Sequence, residues 1–550
     1  MSLREQDLAR QAKTNNTPLK SISLTPTDPH EVRSIVMGLR SHSAPGWDKI
    51  TATILKQNIL TLALPITYLC NKSLETGTFP ANFKKAVVCP IFKSGEKSEP
   101  SNYRPISLLS TMSKILEKIV NKRLINYLEK NEMLSNCQFG FRAKKSTEDA
   151  VLTLASNIVT NIEKGDKCLG VFLDLQKAFD TVSTPILLTR LENVGIRGVA
   201  LEWFTDYLTG RSQCVRVAGI ESDGAVCRYG VPQGSTLGPT LFIIYVNELC
   251  NVATRSNMDI IMFADDTVLI FHEDSWDKVF HAAEQGLSKT TAWLEDSLLS
   301  LNGNKTKYLC FSKSVMSQPS AKHNLKIHMY PCNRGVNRSK CDCATLSRVA
   351  SIKYLGITVD VQLTWGPHIA VVTTRIRKII HIFKNLRNIG DVDLLLGTYR
   401  ALCECIIRYC ICVWGGAGKT YLLTAERAQR AVLKVLMYLP YRHPTTAVYE
   451  KAGVLSVRKM FIYEILRRYH KKIMSTLLVS NKRVERCPVP RTKSASGQRH
   501  FNFLGPYIYN KCNKIQKIKK LSHLKLKRVV HTWLSTMDYD TVENLLRVDK

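Results

Sequence analysis

The chain has 550 residues, 45% of them hydrophobic, which suits several packed units and argues against wholesale disorder. Its formal charge of +33 points to a polyanionic partner, nucleic acid before an acidic membrane. No window reaches the roughly 18 apolar residues of a membrane span. The N-terminus, MSLREQDLARQAKTNN, is polar, so no secretion signal is expected, and the 17 cysteines read as reduced thiols of the cytosol or nucleus rather than a disulfide framework.

In chain order, residues 1–30 are rich in Thr, Asn, Ser and Pro and read as a flexible lead-in. Asp28-Pro29 then opens a helix through Leu39. Ala44-Pro45-Gly46-Trp47-Asp48 is a turn, followed by a helix near Ile50–Leu60. Ile115, Leu116, Ile119, Leu124 and Leu128 have helical spacing over Thr111–Glu129. Cys168–Asp174 is a short apolar run after Gly165, a buried strand. Gln213–Val217 and Ala225–Tyr229 form a hairpin around Gly219 and Gly224. Met258–Phe263 and Thr267–Phe271 are two apolar β runs joined by Ala264-Asp265-Asp266. From about residue 367 the pattern is helical and basic, with helices near 367–388, 392–411, 421–438 and 445–475 and a late linker at 482–500. Residues 371–550 carry a net charge of +24 and residues 1–370 only +9, so the last third is the main electrostatic footprint.

Two apolar strands thus deliver acids to a strand end and a tight turn. Asp174 closes one, and Asp265 and Asp266 sit inside the other. Paired carboxylates flanked by apolar residues are costly unless a cation neutralises them. Oxygen ligands without His or Cys select Mg²⁺ or Mn²⁺ rather than zinc. Two such ions about 3.5–4 Å apart stabilise the attacking and leaving oxygens of an in-line phosphoryl displacement.

Phe172–Asp180 (FLDLQKAFD), Gly230–Pro239 (GVPQGSTLGP) and Phe263-Ala-Asp-Asp266 resemble motifs A, B and C of reverse transcriptases, in that order and spacing. APGWD, FPANFKKAVVCPIFKSG and NYRPISLLSTMSKILEK precede them, with QFGFR at Gln138–Arg142. NGNKTK at Asn302–Lys307 and YLGITVD at Tyr354–Asp360 follow. Together, over residues 44 to about 365, they resemble non-LTR (LINE-type) retrotransposon polymerases of the jockey-like group. Phe263 stands where many reverse transcriptases have Tyr, and Glu248 where Asp is expected, but no required carboxylate is altered.

The resemblance implies an α+β right-hand polymerase: an N-terminal extension or linker at 1–40, fingers at 41–167 and a palm at 168–365 with a finger insertion at about 185–228. A helical thumb would span 366–480 and a basic helical region 481–550. It implies metal binding by Asp174, Asp265, Asp266 and the Leu175 carbonyl, with Mg²⁺ (or Mn²⁺) as cofactor. Phe179 matches the ring that excludes a ribose 2′-OH. Gln233 and Gly234 match the turn where the incoming nucleotide meets the template base. Lys93 and Arg104 match residues that clamp the triphosphate. Lys305 matches a proton donor to leaving pyrophosphate, and Tyr354–Ile357 a primer-positioning hairpin. The partners would be an RNA template, a DNA primer or target and dNTPs, with no membrane. The rival readings are a catalytically silent RNA-binding remnant of a mobile element and a group II intron-like or telomerase-like polymerase.

Other signals point away from chemistry. Gly415–Thr420 (GGAGKT) mimics a phosphate-binding loop, but Val413 stands where its first Gly belongs, which leaves Lys419 as a backbone contact or a solubilising charge. Cys403, Cys405, Cys410 and Cys412 form two C-x-C pairs, and Cys332, Cys341 and Cys343 a further cluster. No His completes a zinc-knuckle spacing, so these are taken as ordinary thiols, Cys403 and Cys410 sharing one helix face. Only 43 residues precede the first finger motif, and the acid-poor last third shows no RNase H carboxylate set, so neither endonuclease nor RNase H is expected.

Overall fold

The structure, a computed structural model, describes residues 3–13, 20–256, 258–328, 332, 343–479, 487–492 and 494–548. At its centre is a five-stranded sheet in the order Ser347–Arg348, Lys307–Phe311, Lys167–Leu173, Asp266–Glu273, Asp259–Phe263. Lys167–Leu173 runs antiparallel to both neighbours, pairing Leu173 with Thr267 on one side and Phe172 with Lys307 on the other. Period-2 alternation divides this sheet between two cores. Leu169, Val171, Leu173, Leu269 and Phe271 face one core, shared with helices Thr111–Lys130, Thr184–Asn193 and Gly238–Tyr245. Cys168, Phe172, Val268 and Ile270 face the other, shared with Thr147–Lys164 and the C-terminal helices.

A second sheet joins Lys85–Phe92 to Tyr103–Leu109 antiparallel and to Ser212–Val217 parallel. Ser212–Val217 turns at Ala218-Gly219, both at positive φ, into Ile220–Glu221, and pairs again with Ala225–Val226.

Sequence signals explain the first half well. Asp28 accepts the Glu31 amide at 2.8 Å and starts Pro29–Met37, and Ser146 accepts the Asp149 amide at 3.2 Å and starts Thr147–Lys164. The lead-in is a correction. Leu3–Gln11 is a helix, and Leu8, Ala9 and Ala12 pack into the first core, where the Asn193 side-chain amide also donates to the Ala12 carbonyl at 2.7 Å. Three apolar residues spaced on one helical face escaped a reading weighted by the Thr, Asn, Ser and Pro around them.

The C-terminal helices also differ in their breaks. Gly366–Leu386 and Lys419–Leu436 lie where the spacing puts them. The stretch expected as one helix at 392–411 is Val392–Tyr399, a π turn at Arg400–Glu404, then Cys405–Arg408. Cys410 follows with φ +51°, so Cys403 and Cys410, both buried, lie on different elements rather than one helix face. The stretch at 445–475 is Thr445–Ala452 and Val457–Val479, parted at Gly453 with φ +62°. Part of the 482–500 linker lies outside the described residues. Its end, from Ser494, caps the helix Ala495–Arg499, and the Ser494 amide donates to Glu163 at 3.2 Å.

The C-terminal third is docked on Thr147–Lys164. Arg468 pairs with Glu148 at 2.8 Å and also with Asp149, and the Cys412 amide donates to Glu148 at 3.1 Å. The GGAGKT run serves this packing. A Cβ on Gly416 would meet the Arg499 carbonyl, and exposed Lys419 pairs with Glu543 at 3.5 Å over the Tyr539 ring while its carbonyl accepts from Arg458 at 3.4 Å. Among the described residues no helix is long and apolar enough to cross a membrane.

Candidate active site

The three aspartates meet at one end of the central sheet. Asp174 follows Leu173, whose partner Thr267 follows Asp266, and Asp265 sits in the turn between the paired residues Phe263 and Asp266. Ala264 adopts φ +59° to make that turn, a conformation most L residues avoid. The strain is offset by a loop from another part of the chain. Cys137 and Phe139 exchange backbone hydrogen bonds with Met262 at 2.9 and 2.8 Å. Between them, fully buried Gln138 uses one side-chain oxygen to accept from the Gly140 and Ala264 amides at 2.8 and 3.0 Å. A Cβ on Gly140 would strike the Ala264 nitrogen at 2.5 Å, so only glycine lets the two loops approach this closely.

Asp174 is fixed from the other side. Its amide donates to the Thr306 hydroxyl at 3.2 Å, and its carbonyl accepts from Asn302 at 2.8 Å. Asn302 also accepts the Lys305 amide at 3.3 Å, so exposed Lys305 rides on the loop that grips Asp174. Leu175, half-buried, continues into a short pairing with Leu301.

The electrostatics are those of a crowded anionic site. Loss of water pushes the Asp265 carboxyl up, the Asp174 charge adds to this, and its own backbone N–H, Arg104 and Lys93 oppose it. Asp266 is pushed up to about 6, first by the protein around it and then by Asp265 and Asp174. The residue is nonetheless exposed to solvent.

Phe179 and Gln233 flank the carboxylates. The Phe179 ring is half-buried, stacked on Phe242 at 4.3 Å and edge-on to Phe141 at 6.5 Å. Its carbonyl accepts the Val231 amide at 2.9 Å, which ties motif A to motif B. Gln233 donates its side-chain amide to Asp180 at 2.9 Å, and its carbonyl accepts from Ser107 at 2.7 Å. Gly234 has φ +116°, and a Cβ there would meet the Ser107 carbonyl at 2.6 Å. The motif B loop therefore lies against strand Tyr103–Leu109, which carries Arg104. Lys93 and Arg104 are exposed, one past and one opposite the end of that hairpin.

The sequence reading named neither Asp180 nor Glu117 as a site residue. Burial raises the pKa of both. Glu117 is fully buried and accepts the Thr236 and Leu237 amides at 2.7 and 3.4 Å, pinning the far side of motif B. A Glu on the apolar face of Thr111–Lys130 was its visible signal. Further on, Ser351–Tyr354 and Ile357–Asp360 form a hairpin with Leu355 and Gly356 at positive φ, and the Tyr409 hydroxyl donates to the Leu355 carbonyl at 2.7 Å.

An antiparallel sheet with two strand ends presenting three convergent carboxylates, a turn beside them and a cationic hairpin opposite is the arrangement of a nucleotidyl-transferring polymerase domain. Residues 91–359 match the model of the family described as reverse transcriptase (RNA-dependent DNA polymerase). The chain is 28% identical, over 84% of its length, to "Probable RNA-directed DNA polymerase from transposon BS" of Drosophila melanogaster. It is 26% identical over 78% to "Probable RNA-directed DNA polymerase from transposon X-element" of the same species. It is 25% identical over 88% to "RNA-directed DNA polymerase from mobile element jockey" of Drosophila funebris. The chain covers 51%, 46% and 52% of those relatives, about half of each. Over residues 91–359 the chain is thus similar to reverse transcriptases, and the relatives it matches along most of its length are polymerases of transposons, jockey among them.

Proposed function

We propose that the chain is an RNA-directed DNA polymerase that adds deoxynucleotides to a DNA 3′-OH on an RNA template. The carrying observation is the convergence of Asp174, held by one loop, with Asp265 and Asp266, whose shared turn is held by another, two of the three carboxyls being pushed up by burial and by neighbouring carboxylates. Carboxylates that resist sharing a site release that strain by binding a cation. Their donors are hard oxygens, which fits Mg²⁺ or Mn²⁺. The three aspartates, with the Leu175 carbonyl, would hold it, and when bound it supplies Lewis-acid stabilisation of the attacking and leaving oxygens.

The protein's own groups orient the reactants. Phe179 would lie beneath the sugar and exclude a 2′-OH. Gln233 and Gly234 would back the incoming nucleotide against the template base. Lys93 and Arg104 would hold triphosphate oxygens, the Arg fork engaging two at once. Lys305, on the loop gripping Asp174, would protonate leaving pyrophosphate. In this reading 41–167 are fingers, 168–365 the palm with an insertion at about 185–228, 366–480 the thumb, and 481–550 a basic region that holds the nucleic-acid backbone.

Primer extension on poly(rA)/oligo(dT) tests the proposal. Metal-dependent dTMP incorporation is expected, lost in Asp265→Asn with RNA affinity retained. Well-folded protein that binds RNA but incorporates nothing would leave the reading of a silent RNA-binding remnant.

A further inference from the structure

One cluster of ligating side chains lies well away from the aspartates. The insertion between strands Lys307–Phe311 and Ser351–Tyr354 folds back as a small antiparallel ladder, in which Lys326 bridges Thr345. The Ile327 amide donates to the Ala344 carbonyl at 3.0 Å and the Leu346 amide to the Leu325 carbonyl at 2.8 Å. Continued by two residues, this register sets His328 directly opposite Cys343. The chain then brings Cys332 back onto His328, with Sγ 3.2 Å from Nδ1. The ligand atoms of His328, Cys332 and Cys343 all lie within 4.8 Å of one another. His328 and Cys332 are buried and Cys343 is half-buried.

We propose that His328, Cys332 and Cys343 bind one zinc ion. Nitrogen and sulfur donors of intermediate softness select zinc over the hard cations of the aspartate site. Zn–N and Zn–S bonds in a tetrahedron place neighbouring donors about 3.6–3.8 Å apart, a spacing this cluster reaches by small side-chain rotations. A disulfide between Cys332 and Cys343 would leave the converging imidazole unexplained, and a thiol–imidazole hydrogen bond would leave Cys343 unexplained. Zinc accounts for all three. His328 precedes Cys332 by four residues, a spacing outside the zinc-knuckle pattern. Cys341 lies outside the described residues and takes no part in the argument.

The site's role is structural. The Thr291 hydroxyl, on helix Trp276–Asp296, donates to the His328 carbonyl at 2.9 Å. Ser347 pairs with Lys307 at the edge of the central sheet, two residues beyond Lys305. A metal at His328 would close the insertion as a loop and lock that edge strand, since a bound metal's free energy is also folding free energy.

The test uses the full chain purified without a polyhistidine tag. Elemental analysis should find about one zinc per chain. Cys332→Ser and Cys343→Ser should each bring zinc to background, while Cys405→Ser, an exposed thiol elsewhere, should retain it. His328→Cys keeps a donor and should also retain zinc, which separates lost ligation from a failed fold. Cobalt replacing zinc should show thiolate charge-transfer absorption in the near ultraviolet, absent in Cys332→Ser. Zinc-free wild-type protein that takes up none on reconstitution would overturn the site. So would zinc content unchanged in both Cys332→Ser and Cys343→Ser, or a Cys332–Cys343 disulfide in the peptide map.

Discussion

Asp265 and Asp266 stand next to each other because Ala264 accepts an unfavourable φ and Gln138 holds it there. Their adjacency, apolar flanks and family order were all legible in the sequence. The hold on the Asp174 main chain by the Thr306 hydroxyl and the Asn302 amide was not, because the Asp174 groups held are backbone and carry no side-chain signature. Asp265→Asn keeps the shape and removes the charge, so metal-dependent incorporation should fall below detection while melting temperature stays level or rises. A rise follows because a buried like-charge repulsion is relieved. In the proposed reading Phe179 is both core and gate: its stacking on Phe242 fixes the plane of a half-buried ring. Phe179→Val should raise rNTP incorporation relative to dNTP by about ten- to a hundred-fold, the range a hydrophobic pocket achieves. Single-nucleotide kinetics with dTTP and UTP measure it, and an unchanged ratio would make the ring core alone.

Elements explain where sequence patterns worked and where they stopped. Caps, apolar strands and helical periodicity placed the first half, because those elements bury one face against a local neighbour. The break at Tyr409-Cys410 and the docking of Leu3–Gln11 are set by tertiary packing that periodicity does not encode, whereas Gly453 is a local left-handed cap. The loop around Gln138 is the clearest such case. Gln138→Ala removes the acceptor of two buried amides, each about 1–3 kcal/mol when left unsatisfied. Activity should drop by more than tenfold with smaller loss in a Gln138→Glu variant, measured as initial extension rates beside thermal melts. The helix Gly366–Leu386 makes a pH prediction. His368 accepts the Thr358 amide at 3.4 Å, packs edge-on to Trp414, and burial, with Arg375 adding to it, holds its pKa down to about 4. The folded state therefore resists a proton that the unfolded chain takes up below about 6.5. Stability is full above that pH and is lost as pH falls toward 4, by about 3 kcal/mol for this residue at the low end. Melting temperature followed across that window should fall, and His368→Gln should flatten the slope.

At the scale of the whole molecule, charge and docking coincide. The region that carries the surplus of +24 also supplies the second core's outer wall, so its apolar faces look inward and its lysines outward. Lys514, Lys520 and Lys525 are exposed along this tail. Replacing all three with Gln should lower RNA affinity and reduce the slope of log affinity against log salt by about 2, at roughly 0.7 per single-strand phosphate. Filter binding over a salt series decides, and an unchanged slope would mean these lysines only meet solvent. Composition announced the polyanion, but which lysines face it depends on how Phe501–Gln516 and His523–Ser535 turn their buried sides to Val457–Val479.

The two-sided sheet has a consequence for how the molecule comes into being. Phe172, Val268 and Ile270 lie on strands finished before residue 274, yet the core they belong to extends to Ile369, Val432, Phe461 and Ile508. On a ribosome, helix Thr147–Lys164 is there to cover part of this flank as the strands emerge, but the rest of that core waits for nearly half the protein to follow. The core behind the aspartates is therefore completed only when the tail arrives. A chain released early would carry the three aspartates on a sheet whose second core lacks its outer layer, an adhesive surface.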